Sequence, residues 1–155
     1  MSPGAQIMPQ TSTVIARPVM AIHSILIVED DSDTLDAMRR ILEPRGYSVS
    51  IATGGKEAIQ SLNRRAFDLV ITDILMPDVD GFQLIVLLRQ NFPKTRCIAI
   101  TGGGRINSDT YLLIARGFGA DLVLPKPITN DTLVTAIRAI EARSGLSPPK
   151  PRGEK

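Results

Sequence analysis

The sequence predicts an α/β domain, a parallel β-sheet with helices on both faces. Three observations carry that prediction. Short apolar runs rich in β-branched residues alternate with segments in which apolar residues recur every three or four positions. The run from Phe67 to Asp73 has an unbroken apolar centre, Leu69-Val70-Ile71, as a strand covered on both faces must have. At 155 residues and 43% apolar composition, the chain is long enough to bury one sizeable core.

The elements follow as five strand and helix pairs. Ile25 to Glu29 is the first strand, and the helix after it carries Leu35, Met38 and Leu42, with Asp31 or Ser32 placed to cap it and Pro44 and Gly46 to stop it. Tyr47 to Ala52 is the second strand. Its helix runs from about Gly55 to Asn63 with Ala58, Ile59 and Leu62 inward, and Thr53 is the expected cap. Phe67 to Asp73 is the third strand, and Phe82, Ile85 and Leu88 form the stripe of the helix that Asn91-Phe92-Pro93 ends. Arg96 to Thr101 is the fourth strand, followed by the glycine loop Gly102-Gly103-Gly104. A fourth helix starts at Ser108 or Asp109, with Leu112, Ala115 and Phe118 near one face, and leaves through Gly117 and Gly119. Leu122 to Leu124 is the fifth strand, and a last helix from about Asn130 to Arg143 buries Leu133, Ile137 and Ile140.

The folded domain is therefore expected over 23–143. Residues 1–22 hold three prolines and no acidic residue, and Arg17-Pro18 breaks the apolar run from Val14 to Ile22. This makes a poor signal peptide and no transmembrane helix, so a disordered leader is expected, or else a true start at Met20. Residues 144–155 read as a Pro-rich basic tail, extended and mobile, with no room for a second domain. A formal net charge of +2 implies no strong pull toward nucleic acid or anionic membrane, so direct DNA binding is not expected. The one cysteine, Cys97, lies beside Ile98, Ala99 and Ile100 and reads as a core thiol in a reduced, cytoplasmic compartment. The sequence has no GxxxxGK[ST] phosphate loop and no Cys/His spacing for zinc, and its one histidine, His23, precedes the first strand.

Chemistry gathers at the strand ends. Ile25-Leu26-Ile27-Val28 runs into Glu29-Asp30-Asp31, Leu69-Val70-Ile71-Thr72 into Asp73, Ile98-Ala99-Ile100 into Thr101, and Leu122-Val123-Leu124-Pro125 into Lys126. Ligands of an open parallel sheet bind outside the carboxyl ends of its strands, so these groups converge. Clustered acids suit a hard divalent cation, one carboxylate is free to act as a nucleophile, and a hydroxyl and an amine can meet anionic oxygens. The set reads as a site that accepts a phosphoryl group. Crowded carboxylates attack phosphorus poorly, so Asp73 is workable only where Mg²⁺ and Lys126 offset the repulsion. The plainer reading of such acids is as solvated loop residues or helix caps, and Asp31, Asp33, Asp78 and Asp80 are read that way. Pro127 suggests a rigid, cis Lys126-Pro127 bond that aims the amine.

Glu29-Asp30, Asp73 with Met76-Pro77 and Gly81 behind it, Thr101 followed by Gly102, and Lys126-Pro127 together resemble the receiver domain of two-component response regulators, over residues 24 to about 143. The resemblance implies a flavodoxin-like, doubly wound five-stranded parallel sheet in the order 2-1-3-4-5. It implies that Asp73 is the aspartate phosphorylated by a histidine kinase or phosphotransfer protein. Glu29, Asp30 and Asp73 would hold Mg²⁺ with the backbone carbonyl of Leu75, Thr101 would move to hydrogen-bond the phosphoryl group, and Lys126 would pair with it. Such a protein is a switch and not a turnover enzyme, although it catalyses its own phosphorylation and dephosphorylation. Its docking or homodimer face would be the fourth helix, fifth strand and fifth helix, and its downstream protein target is not legible here.

Two features depart from the pattern. Val123 stands where the family commonly has the Tyr or Phe of its switch, which shifts any conformational change onto Thr101, the 102–104 loop and the fourth helix. Nothing foldable follows the fifth helix, so output through a binding partner or relay is expected. A degenerate receiver serving as a phosphorylation-independent interaction module is the main alternative. A haloacid-dehalogenase-type phosphatase would need an Asp-x-Asp spacing that Glu29-Asp30-Asp31 lacks, and a flavin carrier would need a phosphate cradle where the loop after the first strand is acidic.

Overall fold

A computed structural model of the chain describes residues 21–102 and 108–143. Five strands, β1 (Ser24–Val28), β2 (Ser48–Ala52), β3 (Leu69–Asp73), β4 (Arg96–Thr101) and β5 (Leu122–Pro125), alternate with five helices, α1 (Ser32–Leu42), α2 (Gly55–Arg64), α3 (Gly81–Asn91), α4 (Ser108–Phe118) and α5 (Asn130–Ala142). The sheet is parallel throughout, in the order β2-β1-β3-β4-β5, as expected. The chain steps outward from β1 to β2 and then back past β1 to β3. The strand order therefore reverses between β1 and β3, and a crevice opens above their carboxyl ends.

Period-two alternation divides the inner strands between two cores. Leu26, Val28, Val70, Cys97 and Ala99 face Ala58 and Leu62 of α2, Leu84, Ile85 and Leu88 of α3, and Ala115 of α4. Ile25, Ile27, Leu69, Ile71, Ile98 and Ile100 face Leu35, Met38 and Leu42 of α1 and Leu133, Ala136, Ile137 and Ile140 of α5. Both faces being covered, β3 is buried along its whole length. Cys97 is buried too, and desolvation pushes its thiol up to about 12, so it is the inert core residue expected.

Three local details differ from the sequence expectation. Thr53 does not cap α2: its hydroxyl and N–H donate to Glu57 Oε1 at 2.9 and 2.6 Å, and the N-cap position is Gly54. Phe118 lies on the α4 stripe but is 43% exposed, touching Phe82 of α3 with ring centroids 5.2 Å apart. Ile22, placed by the sequence at the end of the leader, is buried, and its N–H donates to Glu141 Oε2 at 3.1 Å. Residues 1–20 of the leader, the tail, the Gly103-Gly104 part of the loop and the side chain of Leu112 lie outside the described residues. Among the described residues no helix is long and apolar enough to cross a membrane.

Candidate functional site

Four strand ends meet as the sequence predicts. Directly after β1, Glu29 is held down by its own backbone, whose N–H donates to Ala52 O at the tip of β2 (3.0 Å). Its side chain is buried at 1% exposure, and Oε2 accepts the Asp31 N–H at 3.0 Å. Asp31 itself turns away to cap α1, accepting from the N–H and hydroxyl of Thr34 at 3.0 and 2.6 Å. Asp31 therefore plays the capping role read for it, and Asp30, exposed, is the acid that joins the site.

Asp73 ends β3 with 5% of its surface exposed. Its Oδ1 accepts the Leu75 N–H at 3.2 Å, and its Oδ2 accepts from Lys126 Nζ at 3.1 Å. The turn behind it is tight: Gly81 N–H donates to Ile74 O at 2.8 Å. A Cβ at Gly81 would collide with the Asp73 carbonyl and Ile74 Cα, which is why glycine stands there. Thr101, buried, closes β4 opposite Pro125, and its carbonyl accepts the Lys126 N–H at 2.8 Å. The Lys126-Pro127 peptide is cis, as the sequence suggests.

Electrostatically the site is crowded. One carboxylate oxygen from each of Glu29, Asp30 and Asp73 lies within 4.8 Å of the others. Lys126 Nζ stands 3.2 Å from Glu29 Oε1, an ion-pair contact outside hydrogen-bonding geometry, so that buried Oε1 has no hydrogen-bond partner. Burial pushes the Glu29 carboxyl up to about 7, and Asp73 adds to the shift against the Asp31 N–H and Lys126. For Lys126, burial works downward, but the hydrogen bond and charge of Asp73, with Glu29, outweigh it and hold the ammonium above its ordinary range.

These residues fit a hard divalent cation. Three convergent carboxylates against one ammonium leave surplus negative charge, and among the described residues the buried Glu29 Oε1 meets Lys126 as an ion pair without a hydrogen bond, leaving acceptor capacity for a cation. Glu29, Asp30, Asp73, Thr101 and Lys126 are thus brought to one sheet edge, and the N–H of Leu75 is fixed on Asp73. The remaining acids of the loop are caps. Asp80 caps α3, accepting from Gln83 N–H at 2.9 Å, while Asp78 reaches across to α2, taking Gly55 N–H and Lys56 N–H at 3.1 Å each. The span from Asp78 back to α2 leaves no local signal in the sequence, so the sequence identifies a cap without its helix.

A family model described as response regulator receiver domain matches residues 25–138. Among curated proteins, the chain is 34% identical over 126 residues to the transcriptional regulatory protein CpxR of Escherichia coli K12, covering 81% of this chain and 52% of that protein. It is 38% identical over 109 residues to an uncharacterized 14.6 kDa protein of Leptolyngbya boryana, covering 68% of this chain and 82% of that one. A CheY-like response regulator receiver domain protein from Methanospirillum hungatei superposes with a TM-score of 0.72 at 29% identity, over 80% of this chain and 97% of the other. The chain spans about half the length of the CpxR relatives, at 52%.

Proposed function

The chain belongs to the response regulator receiver family, and from that premise we propose that it is a Mg²⁺-dependent phospho-acceptor switch of two-component signalling. The observation that carries the reading is Asp73, a nucleophile held at a strand tip by the Leu75 N–H and Lys126 Nζ, beside a buried Glu29 oxygen that meets Lys126 as an ion pair without a hydrogen bond. A carboxylate oxygen of Asp73 attacks the phosphorus of a phosphohistidine carried by a histidine kinase or phosphotransfer protein. A P–O bond forms, the P–N bond breaks, and the departing imidazole takes up a proton. Glu29, Asp30, Asp73 and the Leu75 carbonyl would hold Mg²⁺, which when bound would neutralise charge on the transferring group. Lys126 already sits on Asp73 Oδ2 and follows the negative charge onto the phosphoryl oxygens, and Thr101 supplies a hydroxyl to the same oxygens.

The protein then acts as a switch and not as a turnover enzyme, in the cytoplasm, through a protein partner or relay and not through direct DNA contact. The face of α4, β5 and α5 is the docking or homodimer surface in this reading, and α4 carries the exposed apolar side chains Leu113 and Ile114. One observation favours a second reading. Val123, half-buried against the α2/α3/α4 core, replaces the ring that usually moves, so a receiver that binds its partner regardless of phosphorylation is the alternative.

Incubation with Mg²⁺ and acetyl phosphate, read by intact mass spectrometry, separates the two. A single phosphoryl adduct on the wild type, absent without Mg²⁺ and absent in a folded Asp73→Asn variant, is the expected result. No adduct on folded wild type, under conditions where a slowly hydrolysing control receiver labels, favours the phosphorylation-independent module.

A further inference from the structure

Helix α2 begins without a cap of its own. Gly54 has no side chain to offer, and Thr53 is engaged with Glu57, so among the described residues the N–H groups of Gly55 and Lys56 are met by Asp78, 23 and 22 positions along the chain. Both oxygens of Asp78 are used, one on each N–H, and these bonds hold its carboxyl below the usual range. Beside it Val79 lies so close to Gly55 that a Cβ there would collide with it. The loop between β3 and α3 is therefore clamped onto α2 in its middle, not only at its ends.

The clamp links two halves of the acidic site. On one side, the loop leads back through the Leu75 N–H to Asp73 Oδ1. On the other, α2 leads back through Gly54 and Thr53 to Ala52, whose carbonyl holds the backbone N–H of Glu29. We propose that Asp78 is a positioning residue for the phospho-acceptor site: by capping α2 it fixes the loop behind Asp73 relative to the strand end that carries Glu29, and so sets the affinity for the divalent cation. The inference rests on the phospho-acceptor reading and adds a residue that touches neither metal nor phosphoryl group.

A purely structural cap would lower stability alone, and the geometry offers a way to tell the two apart. Gly54 has an extended backbone (φ −172°), open to any residue, and the three heavy atoms nearest to a Cβ there all belong to the Asp78 carboxylate, the first at 2.7 Å. In an Asp78→Ala background that obstacle is gone, and Gly54→Ser supplies a hydroxyl at the N-cap. Mg²⁺ affinity by titration calorimetry and melting temperature would be measured on wild type, Asp78→Ala, and the double variant Asp78→Ala/Gly54→Ser.

Asp78→Ala is expected to melt earlier and to bind Mg²⁺ about tenfold more weakly, the scale on which supporting residues tune metal sites. The double variant is expected to recover the melting temperature while its Mg²⁺ affinity stays low. Double-variant affinity within about twofold of wild type would overturn the positioning role, on the same scale. Wild type that binds no Mg²⁺ would overturn the phospho-acceptor reading and this inference with it, a failure distinct from the first.

Discussion

Acids stand at both ends of this sheet, and they are treated in opposite ways. At the amino end, Asp68 accepts from the N–H groups of His23 and Ser24 at 2.8 and 3.0 Å and from the Ser24 hydroxyl at 3.3 Å. Burial works against its charge, but those donors outweigh it, and its carboxyl lies below the usual range. Asp121, buried, accepts the Cys97 N–H at 2.8 Å and pairs with Arg96 at 3.4 Å. At the carboxyl end, Glu29 keeps one oxygen without a hydrogen bond, shares the Lys126 ammonium with Asp73, and is pushed up to about 7 by burial. Acids matched by donors staple strands together, whereas acids crowded against one another store a demand for a cation. The difference lies in the donors, since burial is shared by both ends.

Breaking the amino-end staples should cost stability and spare chemistry. The largest effect is expected for Asp121→Ala, which strands the buried Cys97 N–H and leaves Arg96 unpaired, at about 2–3 kcal/mol in urea denaturation. Asp68→Ala, at a half-exposed position where water can replace part of the lost bonding, should cost about 1–2 kcal/mol. Both variants should still take up one phosphoryl group from acetyl phosphate. Loss of labelling in either folded variant would erase the distinction between the two ends.

The carboxyl end should respond with the opposite sign. Burial raises the Glu29 carboxyl to about 7 from its ordinary 4.5, so the folded state holds its proton more tightly than the unfolded chain. Its contribution to stability is therefore complete below about pH 4.5 and is lost as pH rises through about 7. In Mg²⁺-free buffer with chelator, Glu29→Gln should flatten this decline and gain on wild type at pH 8, while binding Mg²⁺ much more weakly. Parallel pH profiles for the two proteins would show that Glu29 is not frustrated.

Much of this contrast is legible in the sequence. An apolar run ending on Glu29-Asp30, Asp73, Thr101 or Lys126 gives both the strand and the side chain at its tip, because a buried strand must surface somewhere and its first polar residue marks the place. Caps are legible where the helix is adjacent, as for Asp31 and Asp80. They fail where the partner is distant, as for Asp78 on α2, since Gly54 carries no mark of what covers it. Phe118 fails for another reason: periodicity reports the face of a helix but not whether another element covers that face. The strand order came from the family resemblance, because pairing between β1 and β3 skips β2 and leaves no local trace.

The smallest stability effect should be the sharpest test. Asp30 is exposed at the rim of the site, and removing its charge should shift apo stability by no more than about 0.5 kcal/mol, as for most surface substitutions. Yet its carboxylate belongs to the same cluster as Glu29 and Asp73. A cation that binds only the folded state stabilises it by RT ln(1 + L/Kd) at free cation concentration L, so the melting temperature rises with cation concentration and rises less where Kd is larger. Asp30→Asn should therefore melt with wild type in chelator and fall behind it as Mg²⁺ is added. If the two proteins rise together across the titration, Asp30 is a solvated loop residue like any other, and the cation demand rests on Glu29 and Asp73 alone.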